Sequence, residues 1–224
     1  MTLGKAATAE AIGTALLLAV VVGSGIMGER LAQGNAAVAL LANSIATGAG
    51  LYALIVIFGP ISGAHFNPVV SAARVWEGRL SGFRGVVYAL AQISGAFVGV
   101  AAAHTMFRLP IFQVSNHMRS TPGEGLGEVI ATFGLVLIVL LARSEVIPIA
   151  VAAFITSAYW FTSSTSFANP AVTFARAITD TFAGIAPKSV PLFVFGQMLG
   201  GAAGTLFARW LQRGKVVPQA GESL

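Results

Sequence analysis

Six long apolar runs, separated by short polar segments, dominate the pattern of the chain. Each run is about 16 to 25 residues long, and a helix of about 20 apolar residues spans the hydrocarbon core of a bilayer. The pattern therefore predicts six membrane-spanning helices. The first run is long, lacks a convincing cleavage pattern and is followed by further runs, so we interpret it as a spanning helix and not as a signal peptide. The predicted helices cover residues 7–27, 36–58, 82–106, 124–141, 146–161 and 190–211.

Two shorter apolar runs each follow an Asn-Pro pair, at Asn67–Pro68 and Asn169–Pro170. Asparagine is a favoured N-cap and proline is preset for the first helical position, so each pair predicts a helix start. The runs reach to about residues 76 and 179, which gives helices of about 15 Å, half the thickness of a bilayer. Segments this short predict re-entrant half-helices, with Gly59–Pro60 ending the helix before the first of them.

The second half of the chain repeats the first. Three spanning helices per half is an odd number, so the halves enter the membrane from opposite sides, and the two half-helices are expected to meet near the midplane. We predict one membrane domain over residues 1–224, with a first repeat at 7–107 and a second at 123–212. The matched positions are Glu10 with Glu128, Arg74 with Arg176, Gln92 with Gln197, Gly95 with Gly200, and Gly99 with Gly204.

The composition supports a membrane protein and excludes several other classes. The chain is 56% hydrophobic and 9% charged, whereas soluble domains carry about 25% charged residues. It has no cysteine, and its three histidines lack ligand spacing, so no metal and no cofactor is predicted. The net charge of +5 lies mainly in loops and chain ends. We interpret it as a signal of membrane orientation and not of nucleic-acid binding, with both termini in the cytoplasm. Arg213 and Lys215 in the tail contribute to this bias.

The paired motifs carry a resemblance to a known family. They are Asn67–Pro68–Val69, preceded by the segment 62–65 (Ser-Gly-Ala-His), and Asn169–Pro170–Ala171, together with the repeated glutamates. Over about residues 7 to 212 the chain resembles the major intrinsic proteins, the aquaporins and aquaglyceroporins. The resemblance implies an all-α fold of six membrane helices plus two half-helices, a pore in each protomer, a homotetramer, and a place in a bacterial plasma membrane.

The resemblance also implies a selectivity filter of four positions. One of them normally carries an arginine directly after the second signature, and here that position is Val172. Ungapped counting from the signatures places the others at Thr47, Ser157 and Ser166, and the neighbours Tyr159 and Trp160 stay open as alternatives to Ser157. All four residues are small or uncharged, a pattern similar to that of bacterial aquaglyceroporins found with arsenic-resistance genes. It implies passage of neutral arsenous acid and glycerol-like solutes, with some water.

The polar residues near the pore are candidates for helix capping, loop support or solute contact. Asn67 and Asn169 are expected to cap their helices and to offer amides to a permeating hydroxyl, while the two helix dipoles repel cations. For Glu10 and Glu128 we favour bracing of loop N–H groups over a proton relay, and for His65 support of the same loop. Arg176 shares a helical face with Val172 and can reach back towards it, but its counterpart Arg74 favours a symmetric structural role.

A passive channel is therefore the predicted function. Within that class, the alternative is an ordinary glycerol or water facilitator. From a different class, a proton-coupled transporter would use Glu10 or Glu128, and its flux would depend on membrane potential or a pH gradient. No nucleophile–base pair or metal set indicates an enzyme.

Overall fold

The computed structural model describes residues 1–213, so Lys215 lies outside the described residues. This part of the chain contains eight α-helices, two 3-10 turns at Ser144–Val146 and Pro187–Ser189, and no strand. The helices are α1 (Leu3–Leu31), α2 (Ala36–Ser62), α3 (Pro68–Trp76), α4 (Gly82–Met106), α5 (Pro122–Leu141), α6 (Ile147–Phe161), α7 (Pro170–Arg176) and α8 (Val190–Gln212).

Six of the helices are long and apolar enough to cross a membrane: α1, α2, α4, α5, α6 with its preceding 3-10 turn, and α8. The other two, α3 and α7, have 9 and 7 residues and begin at the two Asn-Pro pairs. The predicted fold class, six spanning helices plus two half-helices, is confirmed.

Several predicted boundaries were wrong. Helix α1 covers Leu3–Leu31, four residues more at each end than the predicted 7–27. Helix α2 does not stop at Gly59–Pro60 but continues to Ser62, and it ends at Gly63 in the left-handed conformation that favours glycine. Pro60 lies so near the end of α2 that its missing N–H removes one late hydrogen bond without breaking the helix. Helix α7 ends at Arg176 instead of about residue 179. The carbonyl groups of the next two residues accept hydrogen bonds from the backbone N–H groups of Gln113 and Ser115. These bonds join the end of α7 to the connection 107–121 and take the place of further helical hydrogen bonds.

The topology divides the loops between two faces. The start of α1, the segment after α3 and the α5–α6 link lie on what we call the amino-terminal face. The connections 32–35, 107–121 and 177–189 lie on the opposite, long-loop face. Helix α1 packs most closely on α4, and α5 on α8, where glycines at matched positions allow close backbone approach. The half-helices start deep between the spans, which places their N-termini at the centre of the bundle.

Candidate functional site

A continuous cavity runs between the spanning helices and past the N-termini of both half-helices. It holds about 840 Å³ of unfilled space, part of it open to the outside. Its wall is mostly apolar, with Leu17, Val21, Leu51 and Ile55 on one side and Leu135, Val139, Val151 and Ile155 on the other. The polar groups are few and come mainly from the two Asn-Pro loops and the helix ends. Such a lining removes water from a passing solute but offers replacement hydrogen bonds at only a few points.

The two signature asparagines lie on this cavity and bind to each other's loops. The Oδ1 of Asn67 accepts from Val69 N at 2.9 Å, and the Oδ1 of Asn169 accepts from Ala171 N at 3.0 Å, so each caps its own half-helix. Asn67 Nδ2 donates to the Ala168 carbonyl, and Asn169 Nδ2 to the Phe66 carbonyl, both at 2.7 Å. Each NH₂ group has a second hydrogen, so one donor per asparagine is left for a solute.

The loops before the asparagines share an unusual backbone conformation. Ala64 and Phe66 have φ of 49° and 50°, and the equivalent residues Ser166 and Ala168 have 50° and 48°. The left-handed region costs roughly 1–2 kcal/mol for each residue with a side chain. The two loops therefore need strong outside contacts to hold their shape.

Glu10 supplies those contacts in the first repeat. Its carboxylate accepts hydrogen bonds from the backbone N–H of His65 at 2.9 Å and of Phe66 at 2.7 Å. Ser62 Oγ and Gln92 Nε2 also donate to it. His65 takes part through its backbone N–H, while its ring lines the cavity with Nδ1 3.0 Å from Ser71 Oγ.

Glu128 makes the matching contacts in the second repeat. Its two oxygens accept from Phe167 N at 2.9 Å and Ala168 N at 2.8 Å. Gln197 Nε2 donates to the same carboxylate at 2.6 Å and to Thr173 Oγ1 at 2.8 Å. Both carboxylates are thus occupied by fixed N–H donors at buried positions. This geometry suits loop support.

Three of the four predicted filter residues line the cavity, and one does not. Thr47, Ser166 and Val172 are buried on its wall. Ser157 lies on the exposed side of α6, where its hydroxyl donates to the Phe154 carbonyl at 2.8 Å, so its assignment to the pore was wrong. Tyr159 occupies the wall instead, and its hydroxyl lies 3.3 Å from Thr47 Oγ1. Two residues along a helix correspond to a rotation of about 200°, so the counting error moved the prediction to the opposite face.

An arginine lies at each end of the same cavity. Arg74, at the end of α3, donates through its guanidinium to the Val139 carbonyl at 3.0 Å. Arg176, at the end of α7, donates through Nε to the Ala183 carbonyl, and its guanidinium carbon lies 3.4 Å from the centre of the Phe167 ring. The carbonyl bonds agree with the expected symmetric structural role. The side chains nevertheless lie on the cavity wall as well.

Sequence reasoning missed several residues of the site. Gln92 and Gln197 complete the two carboxylate networks, yet they entered the prediction only as repeat matches. Their recurrence in both halves was the signal, because a polar side chain repeated inside an apolar helix needs a buried partner. Tyr159 entered the prediction only as a neighbour of Ser157, and Phe167 had no comparable signal, since aromatic residues are common on lipid-facing surfaces as well.

Half-helices meeting end to end beside a cavity, inside a bundle of six spanning helices, define a membrane channel. At its centre each repeat contributes one Asn-Pro loop and one glutamate that supports it, so the two sides of the centre are built alike. The chain belongs to the major intrinsic protein family, and it is an aquaglyceroporin-type channel for small solutes. The sequence profile described as "Major intrinsic protein" matches residues 1–145.

Known proteins agree with this assignment. The chain is 49% identical to the aquaglyceroporin AqpS of Rhizobium meliloti over 93% of this chain and 91% of that protein. It is 33% identical to a probable TIP-type aquaporin of Medicago truncatula over 79% of this chain and 76% of that protein. The fold matches the X-ray structure of the aquaglyceroporin from Plasmodium falciparum with a TM-score of 0.71, covering 95% and 97% of the two chains at 19% identity. These relatives are channels and not enzymes.

Proposed function

We propose that this channel conducts arsenous acid and glycerol-like solutes, with some water, passively in either direction. The observation that carries the proposal is the position of Val172, which is 5% exposed and lines the cavity where the family resemblance implies an arginine. The wall at this level combines Val172 with the hydroxyl groups of Thr47, Ser166 and Tyr159. Such a ring presents apolar surface and neutral hydrogen-bonding groups, which suits a small uncharged molecule with several hydroxyls.

The filter we propose consists of Thr47, Tyr159, Ser166 and Val172. The sequence suggested a filter of four small or uncharged residues. Because Tyr159 contributes an aromatic side chain, the filter is narrower than the sequence suggested. Its hydroxyl faces Thr47 at 3.3 Å, which orients both groups at one side of the passage. Arsenous acid and glycerol are both neutral at pH 7 and carry three hydroxyls, so the sequence pattern and this geometry support the same pair of substrates.

A proton-coupled transporter is less well supported. Its carrier group would have to be Glu10 or Glu128, and both carboxylates accept two backbone N–H bonds in the same arrangement. An ordinary glycerol or water facilitator is a closer alternative, because it differs only in the ranking of solutes. Permeability measurements on vesicles decide among the three.

We also propose a homotetramer in a bacterial plasma membrane with the amino-terminal face in the cytoplasm. The charge distribution supports this orientation, because the amino-terminal face has six exposed or half-buried arginines among the described residues, whereas the long-loop face has three, Arg30, Arg108 and Arg119. The six on the amino-terminal face are Arg74, Arg79, Arg84, Arg143, Arg209 and Arg213. The tetramer rests on the family resemblance.

The substitution Val172→Arg tests the substrate assignment. Wild-type proteoliposomes should pass glycerol and arsenous acid faster than protein-free vesicles. The variant should lower both fluxes by about tenfold or more, because a large, charged fork with five donors would fill the passage. Water flux should fall less, since water is the smallest solute. Stopped-flow light scattering measures water and glycerol, and arsenic uptake measures arsenous acid. Unchanged solute flux in a folded variant would place the constriction elsewhere, and a wild type that passes only water would contradict the proposed substrates.

The pair Tyr159→Ala and Ser157→Ala tests which side of α6 faces the pore. Removing the Tyr159 ring should widen the passage and raise the flux of a four-carbon polyol relative to glycerol by roughly threefold or more. Ser157→Ala removes a hydroxyl on the outer surface and should leave that ratio unchanged. The measurement is the ratio of erythritol to glycerol permeability in matched vesicles. A change in Ser157→Ala but not in Tyr159→Ala would restore the original assignment.

A further inference from the structure

The two half-helices carry the same sequence pattern beyond the signature. Each has valine three residues after its asparagine and arginine seven residues after it: Val70 and Arg74 in α3, Val172 and Arg176 in α7. Both valines are buried on the cavity wall. Residues four apart share a helical face, so each arginine follows its valine one turn further from the centre of the bundle. The cavity therefore has a cation at each mouth, and an apolar valine lies between each cation and the asparagines at the centre.

The contacts around Arg176 hold its guanidinium at the long-loop mouth of the cavity. The side chain is 2% exposed, and its planar head lies over Phe167, itself packed edge-on against Phe193 at 4.9 Å. The one hydrogen-bond acceptor found for it among residues 1–213 is the Ala183 carbonyl, which takes Nε. The two terminal nitrogens are thus left to the cavity that the residue lines.

The charge of Arg176 is not cancelled locally. Within the described part of the chain, the ion pairs are His117 with Asp180 and Arg209 with Glu77, and neither involves Arg176. Glu128 lies behind the Phe167 loop and offsets part of the positive charge of Arg176, although its oxygens accept backbone and Gln197 N–H groups and none from the guanidinium. A second guanidinium, that of Arg119, lies 5.5 Å from the centre of the same Phe167 ring. This mouth is therefore positive.

Ser166 adds a free polar group to the same wall. Its hydroxyl oxygen is buried, with no hydrogen-bond partner among the described residues, and the side chain lines the cavity at 3% exposure. A buried hydroxyl without a partner costs free energy unless something else binds it.

Arg74 is the equivalent arginine at the other mouth of the cavity. It donates to the Val139 carbonyl, lines the cavity and is half-buried. A cation that enters from either side must pass a fixed guanidinium before it reaches the valine and the centre of the cavity, where it would also lose its hydration. A neutral solute with oxygen acceptors meets a donor at the same two places.

We propose that Arg176, together with Arg74 at the opposite mouth, determines specificity in this pore by excluding cations and binding the oxygen atoms of entering neutral solutes. Val172 provides no positive charge at its position, and the two arginines provide positive charge one helical turn further from the centre. This inference rests on the proposed function only in taking the cavity as the solute pathway.

Urea and the guanidinium ion provide a matched pair of probes, because both are small planar molecules with the same number of heavy atoms and differ chiefly in charge. Vesicles loaded with potassium and treated with valinomycin allow charge compensation during guanidinium entry. Swelling is then followed by stopped-flow light scattering, with glycerol as a further neutral solute. Vesicles with the wild-type protein should take up a neutral solute faster than protein-free vesicles. Their rate of guanidinium entry should equal that of protein-free vesicles. Arg176→Gln should raise guanidinium entry by about tenfold or more, because the charge barrier is lost, and it should lower glycerol flux, because the entering solute loses the guanidinium donors.

Three further variants sharpen the test. Arg176→Lys keeps the charge and should keep guanidinium excluded. Arg74→Gln should also raise guanidinium entry, and Arg30→Gln, which removes an exposed arginine on the long-loop face, should not. Arg176→Met replaces the glutamine variant if that one does not fold. Guanidinium entry as fast as urea entry in the wild type, or continued exclusion in a folded Arg176→Gln, Arg74→Gln double variant, would overturn the proposal. Absence of all neutral-solute flux in the wild type would instead contradict the proposed function.

Discussion

Gly95→Ala is expected to destabilise the protein by more than about 3 kcal/mol, beyond the usual cost of overpacking. A Cβ atom added to Gly95 would overlap the carbonyl oxygen of Ala11, which is part of the α1 backbone. A flexible side chain could move aside, but this oxygen can move only if α1 and α4 separate. Gly99 lies one turn on and meets the Ala15 carbonyl in the same way, so separation would disturb the whole interface.

The sign of this effect is opposite to that of helix propensity, which makes the test clear. Alanine is favoured over glycine in a helix by about 1 kcal/mol. Gly82→Ala, in the same helix α4, provides the control, because an added Cβ there meets no atom within 4 Å. The melting temperature in detergent and the monodisperse fraction in size-exclusion chromatography should both fall for Gly95→Ala. For Gly82→Ala both should stay level or rise. Equal behaviour of the two variants would contradict the close packing of α1 on α4.

Glu128→Gln is expected to lower solute flux by about tenfold or more and to reduce thermal stability. The carboxylate offers two acceptor oxygens, and both receive a backbone N–H from the loop before Asn169. Glutamine has one oxygen and one NH₂ group, so one of these N–H groups would face a donor. A buried N–H without an acceptor costs about 1–3 kcal/mol. The left-handed residues Ser166 and Ala168 would then lose their restraint, and the wall of the passage would change shape.

Glu124→Gln is the matched control, since it removes a charge from the same helix one turn earlier. Glu124 is half-buried and accepts from the Thr121 N–H at 2.8 Å in a capping box. Glutamine can serve in that position as well, so stability and flux should remain near wild type. Glycerol flux and melting temperature of the two variants should therefore diverge. If both variants match wild type, Glu128 does not brace the loop. A wild-type flux that requires a pH gradient would favour a proton-relay role for it.

The inverted arrangement could be anticipated from the sequence because each of its components has a local cause. Apolar runs of bilayer length predict spans, and runs half as long after Asn-Pro predict helices that stop midway. The odd number of spans per half then requires the second half to enter from the other side. The matched positions of Glu10 and Glu128 were enough to suggest a bracing role, since a lone carboxylate inside an apolar helix needs donors nearby.

The composition of the pore wall could not be predicted in the same way. A residue lines the pore only if its helix has the right rotation, and two residues change that rotation by about 200°. In a soluble helix the polar face fixes the rotation, but α6 is apolar on both its lipid and its protein side and gives no such signal. The contact of α6 with α2 sets the rotation, and it brings Tyr159 to Thr47 while Ser157 turns outwards.

By itself, the sequence determined the number of spans, the two half-helices, their caps and the symmetry that relates them, because these follow from local hydropathy and capping chemistry. Only the tertiary structure decided which side chains face the passage and what holds them there. It placed Arg176 over Phe167 at the mouth and joined Gln92 and Gln197 to the two carboxylates. Those contacts join residues far apart in the chain, and they depend on how closely the helices pack.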